Sequence, residues 1–194
     1  MVLGKGFLMI IRGLPGSGKS TLTNELLKLT DLSNAIRLNP DFVQIDSPEF
    51  VKFCLTRPKD LPLKKLVYRF LLYSACEKLP TGGQVIWEQP WRKLELLRLT
   101  LENIKVRGYH IPETADYPFI VVIVEVCLSE DEACRRVVSR YHTGQHKFTG
   151  KDFAAFAQDF DSFEGLSLPK LIVNGTLSLT KQVDLVLDFL RKVR

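Results

Sequence analysis

The chain has 194 residues, 45% of them hydrophobic and 25% charged, with a formal net charge of +5. That balance suits a packed globular core and excludes a disordered or low-complexity chain. No apolar stretch reaches membrane-spanning length and the first residues lack a secretory leader, while Cys54, Cys76, Cys127 and Cys134 show no metal-type spacing, so buried free thiols in a reducing cytosol are expected.

Leu8-Met9-Ile10-Ile11 is a short apolar run of the kind a buried parallel strand requires. The run Gly13-Leu14-Pro15-Gly16-Ser17-Gly18-Lys19-Ser20 follows it and matches G-x-x-x-x-G-K-[ST] in full. Residues 21–29 then read as a helix with Leu22, Leu26 and Leu29 on one stripe. Strand, glycine loop and helix together predict a phosphate cradle. Backbone N–H groups at a helix start present donors and partial positive charge to an anion. Gly16 and Gly18 let the backbone come close to it. Lys19 is expected to reach the β- and γ-phosphates, and the Ser20 hydroxyl to ligate Mg²⁺. The expected nucleotide-binding set is Gly13, Pro15, Gly16, Ser17, Gly18, Lys19, Ser20 and Thr21, with ATP and Mg²⁺ as ligands.

Residues 35–39 read as a second strand, ending at Asn39-Pro40-Asp41. Ser47-Pro48-Glu49 starts a short helix, with serine as cap and proline in the first turn; it should end before Arg57-Pro58. Pro62 opens a longer helix. Its apolar positions are Leu63, Leu66, Val67, Phe70 and Leu71, and Lys64, Lys65, Tyr68 and Arg69 are expected to face away. Val85-Ile86-Trp87 is a third strand ending at Glu88. Residues 91–107 form a helix closed by Gly108. Residues 119–127 are a central strand, residues 131–141 a helix, and residues 142–150 a polar loop. Residues 152–160 form a further helix, Leu171-Ile172-Val173 the last strand, and residues 179–194 the last helix.

Strands alternating with helices predict a three-layer α/β fold around a five-stranded parallel sheet. One domain over residues 1–194 is expected, with acceptor-side helices at about 47–79 and a lid at about 135–152. Ligands on such sheets bind past the carboxyl ends of the strands. Asp41 stands there, as a base for an attacking hydroxyl or a holder of a magnesium-bound water, or as a turn residue. Glu88 stands there too, for substrate or for the outer shell of the metal, or as a solvated loop acid. Trp87 and Trp91 flank it, as core or pocket wall. Arg136 and Arg140 share one helical face and suit a transferring phosphoryl group, or salt bridges to Glu130 or Glu132. His110, His142 and His146 make no zinc site with the cysteines.

These residues together resemble the zeta-toxin-like small P-loop kinases, near the polynucleotide kinases and chloramphenicol phosphotransferase. The resemblance implies a nucleotide-kinase-like P-loop NTPase fold with a helical insertion after the second strand and a lid. It implies Asp41 as general base and Glu88 as substrate-side acid. Arg136, Arg140 and the Gly144-Gln145-His146 loop would form the lid's approach to the γ-phosphate, and Asn174-Gly175-Thr176 would line the adenine. The family often has an arginine where Gln44 stands here, and a further lid arginine where Lys151 is the nearest cation.

The expected activity is ATP-dependent transfer of a phosphoryl group to a hydroxyl, by Lys19, Asp41, Arg136 and Arg140. A small-molecule acceptor is favoured over nucleic acid, because no aromatic-studded basic patch is present. The rivals are an ATP hydrolase, an ATP-binding module, and a polynucleotide 5′-hydroxyl kinase. An inhibitor protein, as with zeta toxins, is a partner the resemblance allows and the residues do not call for.

Overall fold

The computed structural model of the chain describes residues 6–57, 60–109, 119–143, 149–162 and 166–193. Five parallel strands form one sheet: β1 (Phe7–Arg12), β2 (Ile36–Leu38), β3 (Gln84–Glu88), β4 (Ile120–Cys127) and β5 (Lys170–Asn174), in the spatial order β2-β3-β1-β4-β5. The central strand β1 pairs with β3 from Phe7↔Gln84 to Ile11↔Glu88, and with β4 from Phe7↔Ile120 to Arg12↔Glu125. The order reverses beside β1, so the crevice for a ligand opens at its carboxyl end.

The described residues form seven α-helices: α1 (Lys19–Leu26), α2 (Pro48–Leu55), α3 (Leu63–Lys78), α4 (Leu94–Tyr109), α5 (Glu130–His142), α6 (Gly150–Gln158) and α7 (Leu179–Val193). Side chains alternate along each strand, and each parity feeds its own core. Leu8, Ile10, Val85, Trp87, Val121 and Ile123 pack with Leu71 and Ala75 of α3 and Leu97 and Leu101 of α4. Phe7, Met9, Ile11, Ile86, Val122 and Val124 pack with Leu22 and Leu26 of α1 and Val186 and Leu190 of α7. A third cluster joins Ala133 and Val137 of α5 to Phe153 and Ala157 of α6, with Leu14 of the glycine loop against it.

Several boundaries differ from the sequence-based expectation, each for a physical reason. Helix α1 starts at Lys19, because Gly18 takes the cap position in a left-handed conformation, φ 102°. Leu29 lies past its end, in a turn closed by its N–H on the Leu26 carbonyl. Helix α4 starts at Leu94 rather than 91, because Trp91 has a positive φ of 49° and the first helical N–H, of Leu94, donates to Asp161 Oδ2 at 3.0 Å. It runs through Gly108 to Tyr109. Thr149 and Asp152 form a reciprocal capping box, so α6 opens at Gly150. The expected start of α2 holds: Ser47 Oγ accepts the Phe50 N–H and Pro48 is the first helical residue. The four cysteines are free, but half-buried rather than buried.

The helix α3 departs most in meaning. Val67 and Leu71 are buried as expected, and Ala75 with them, but Leu63 is exposed. Lys64, Lys65, Tyr68 and Arg69 do not simply face solvent; they border a cavity against β3 and α4. Among the described residues, no helix is long and apolar enough to cross a membrane.

Candidate active site

The glycine loop turns between β1 and α1 with φ 146° at Gly13 and 82° at Gly16. A Cβ on Gly16 would stand 2.6 Å from the Ala133 carbonyl oxygen, whereas one on Gly18 would meet nothing within 4 Å. The loop is thus packed against α5 on one side and open over Gly18, as a cradle for phosphate requires. Gly175 buttresses it: its N–H donates to the Cys127 carbonyl at 2.7 Å, and a Cβ there would lie 2.8 Å from the Ser17 carbonyl oxygen. Asn174 is exposed and folds on itself, its Oδ1 accepting the N–H and hydroxyl of Thr176. Ser17 is buried and its hydroxyl has no partner among the described residues.

Lys19 is buried, and its ammonium donates to the carbonyls of Gly13 at 2.9 Å and Leu14 at 2.8 Å. Among the described residues no carboxylate touches it, although Glu88 and Asp41 act on it from a distance. Burial pushes its pKa down from 10.5 to about 8; the charges of Glu88 and Asp41 oppose the shift and that of Arg140 reinforces it. A cation held on neutral carbonyls in a dry loop is short of negative charge, which a triphosphate would supply.

Glu88 is only 1% exposed. Its Oε1 accepts the Ser20 hydroxyl, and its Oε2 accepts both Nε, at 3.0 Å, and Nη2 of Arg37. The remaining guanidinium edge donates from Nη1 to Asn24 Oδ1 at 2.7 Å, and the group lies 4.5 Å over the Phe42 ring. The solvated-loop alternative for Glu88 is therefore excluded. Asp41 lies in a 3-10 turn, Pro40–Phe42, with its N–H on Asn39 Oδ1 at 2.8 Å. Its carboxylate is exposed and pairs with no cation among the described residues.

Ser20 and Glu88 are joined by a hydrogen bond, and Glu88, Asp41 and Arg140 lie near enough to Lys19 for their charges to act on it. Arg136 is engaged elsewhere: its Nε donates to Glu132 Oε1 at 2.8 Å, and Arg135 holds the other oxygen. Residues 144–148, with Gly144 and His146, lie outside the described residues. Among the described residues no cluster of three or more His, Cys, Asp or Glu could hold a metal. Among the described residues, a hard ion here would find the Ser20 hydroxyl and, through it, Glu88.

Sequence reasoning missed two arginines. Arg37 sits inside a three-residue strand, where a charge in a covered parallel sheet demands a partner. Arg12, fully buried at the end of β1, donates to the Asp161 carbonyl at 2.7 Å, stacks 4.2 Å over Phe160 and faces Glu125 at 3.9 Å across the β1–β4 register. Its signal was a charge closing an otherwise apolar run.

A family profile described as AAA domain matches residues 8–164, more than half of the chain. The chain belongs to the AAA domain family. This is a kinase-like family of P-loop NTPases and does not single out the zeta-toxin-like branch; the match runs from β1 through α6. No curated protein matches the sequence. Among solved structures, a protein of Chloroflexus aurantiacus assigned as a kinase is 22% identical, with 98% of each chain covered and a TM-score of 0.67. A gluconokinase from Sinorhizobium meliloti is 17% identical over 96% of this chain and 92% of its own, TM-score 0.58. A deoxyadenosine kinase from M. mycoides is 16% identical over 97% of this chain and 100% of its own, TM-score 0.53. At these identities the likeness establishes the fold of this AAA domain protein, a nucleotide-kinase-like α/β sheet.

Proposed function

We propose that the protein is a P-loop kinase that moves the γ-phosphoryl group of ATP to a hydroxyl of a small or nucleotide-type acceptor. The observation that carries this reading is the geometry at the open glycine loop: Lys19 is held on the Gly13 and Leu14 carbonyls, the Ser20 hydroxyl is held by Glu88, and the exposed Asp41 carboxylate stands just past the end of β2. A module that only held ATP would have no use for an unpaired carboxylate at that place. The kinase neighbours support the same reading by analogy of fold.

In this reading Gly13, Pro15, Gly16, Ser17, Gly18 and Thr21 hold the phosphates and Lys19 neutralises the β- and γ-groups. The Ser20 hydroxyl would hold Mg²⁺, which when bound would supply positive charge to neutralise the phosphates. Both Glu88 oxygens are committed, so its role is to orient the Ser20 hydroxyl. That leaves Asp41 as the base. It takes the proton as the acceptor oxygen bonds to the γ-phosphorus, the bond from that phosphorus to the bridging oxygen breaks, and ADP departs. Arg140 stabilises charge on the equatorial oxygens; Arg136 does so only if it leaves Glu132. Asn174 and Gly175 border the nucleotide from the end of β5.

A transfer screen tests it. γ-labelled ATP with Mg²⁺ is offered pooled nucleosides, nucleotides, nucleotide sugars, sugars, aminoglycosides and 5′-hydroxyl oligonucleotides. Label should move to one pool, and Lys19→Ala and Asp41→Asn should each lose transfer by about 100-fold or more. Label released only as free phosphate, unchanged in Asp41→Asn, would mean a hydrolase.

A further inference from the structure

The outward face of α3, the end of β3 and the first turns of α4 enclose a cavity of about 440 Å³, the size of a small-molecule site. Its inner wall is aromatic. Trp87 and Trp91 are 1% and 2% exposed and meet edge to face with centroids 5.3 Å apart. Gln89 beside them is 5% exposed. Both indole N–H groups and Oε1 of Gln89 have no hydrogen-bond partner among the described residues. A buried polar group left unpaired is costly, and three on one wall would be answered by a ligand that pairs with them. They are sealed from water, so a ligand reaches them by a side-chain rotation, a common accompaniment of binding.

The rim has one sign of charge. Lys64, Lys65 and Arg69 line the cavity, and no carboxylate does. All three are exposed at the mouth of the cavity, where a dianion would draw on them together. The cavity also adjoins the phosphoryl site. Gln89 follows Glu88 directly, and its N–H donates to the Ile11 carbonyl beside the glycine loop. Tyr68 on the cavity wall feels Asp41: burial, then that carboxylate, pushes the phenol pKa up.

We propose that this cavity is the acceptor site, and that the acceptor is a small molecule with a flat heteroaromatic ring and a separate phosphate group, the chemistry of a nucleoside monophosphate. The ring lies against Trp87 and Trp91 and pairs with Gln89. The phosphate lies among Lys64, Lys65 and Arg69, and the reacting hydroxyl faces Asp41. This assignment rests on the kinase reading above. A cavity of this volume takes one nucleotide, and a polymer end would have to leave across the rim.

The protein contains two tryptophans, and both stand on this wall, so intrinsic fluorescence reports the cavity without turnover. The full chain, with its phosphate loop saturated by a non-hydrolysable ATP analogue and Mg²⁺, is titrated with AMP, UMP, adenosine, ribose 5-phosphate and a 5′-hydroxyl oligonucleotide. At least one monophosphate should give a saturable change, about tenfold or more tighter than adenosine and ribose 5-phosphate. The exposed-site variant Lys64→Ala/Lys65→Ala/Arg69→Ala should bring the monophosphate down to the affinity of the bare nucleoside. No response to either monophosphate, in protein that transfers label to some acceptor, overturns the cavity assignment and leaves the kinase reading standing. Equal affinity for nucleoside and monophosphate, or a preference unchanged in the triple variant, overturns the anionic half. Tighter binding of the oligonucleotide replaces the small acceptor by a polymer end. Monophosphate binding as stated in protein that transfers label to nothing overturns the acceptor role together with the kinase reading.

Discussion

Ser20 and Glu88 stand 68 residues apart in the chain and share a hydrogen bond, the hydroxyl of the first donating to Oε1 of the second. The bond ties the phosphate loop to the end of β3. The same carboxylate takes Arg37 on its other oxygen, so β2, β3 and α1 meet at one acid. Removing one partner of such a buried pair strands the other. Glu88→Leu and Arg37→Met should each destabilise the protein by about 3 kcal/mol, at the low end for a broken buried pair because Arg37 keeps some contact with water. The double variant should recover much of that loss. Urea unfolding with unchanged slope checks this; additive losses would mean that the two side chains do not act as a pair.

The depressed pKa of Lys19 makes a second prediction, with a defined sign. The folded value is about 8 against an ordinary 10.5. Between those pH values the unfolded chain binds the proton that the folded protein has lost, so stability rises with pH there. Lys19→Met should remove that rise. At pH 7 it should be the more stable protein by up to about 3 kcal/mol, since a tenfold loss of proton affinity on folding corresponds to about 1.4 kcal/mol. Nucleotide reverses the effect of burial, because phosphate charge favours the ammonium. Binding of an ATP analogue at pH 8.5 should therefore take up a fraction of a proton. Calorimetry in two buffers of different ionisation enthalpy reads it, and identical enthalpies would rule the uptake out.

Much of this site is legible in the sequence alone. The glycine run, the strand before it and the helix after it define the phosphate cradle, because spacing and local backbone demand reside in consecutive residues. Ser47-Pro48 announces α2 for the same reason. Asp41 and Glu88 are found by asking which residues follow strands. What stays hidden depends on partners far along the chain. Leu94 is capped by Asp161, which moves the start of α4. The outward face of α3 reads as a solvated face because helical spacing says which residues share a side and nothing of what lies opposite. Arg37 and Arg12 escape a reading that takes a strand by its apolar residues and does not ask the charges inside it for their partners.

The glycines rank by what surrounds them. Gly16→Ala puts a methyl 2.6 Å from a backbone oxygen at a positive φ, so it should cost about 1–3 kcal/mol for the clash on top of about 1 kcal/mol for the left-handed backbone. Gly175→Ala meets the Ser17 and Cys127 carbonyls at 2.8 and 3.1 Å, a clash without the backbone strain. Gly18→Ala has the strain and no clash. The melting temperatures should fall in the order Gly18→Ala, Gly175→Ala, Gly16→Ala, the last being lowest. Gly18→Ala should nevertheless weaken nucleotide binding, because its methyl enters the open side of the loop. A Gly18→Ala protein that binds an ATP analogue as the parent does would place the phosphates elsewhere.

Arg12 links the root of the phosphate loop to the segment that follows α6. Its guanidinium is fully buried, donates to the Asp161 carbonyl and covers the Phe160 ring. Asp161 in turn accepts the Leu94 N–H and an ion pair from Lys93 at 3.3 Å, so one short segment is fastened to β1 and α4 together. Lysine cannot reproduce the planar fork or its stacking. Arg12→Lys should therefore loosen this fastening first. Amide exchange should quicken at residues 150–162 while the amides of β1, β3 and β4 remain protected, since local opening draws on the contacts of its own unit. Because α6 packs through Phe153 and Ala157 onto α5 and Leu14 of the loop, the variant should also bind nucleotide less tightly. Uniformly faster exchange across the sheet would instead make Arg12 a support of the whole core, and unchanged exchange at residues 150–162 would remove it from any part in holding α6.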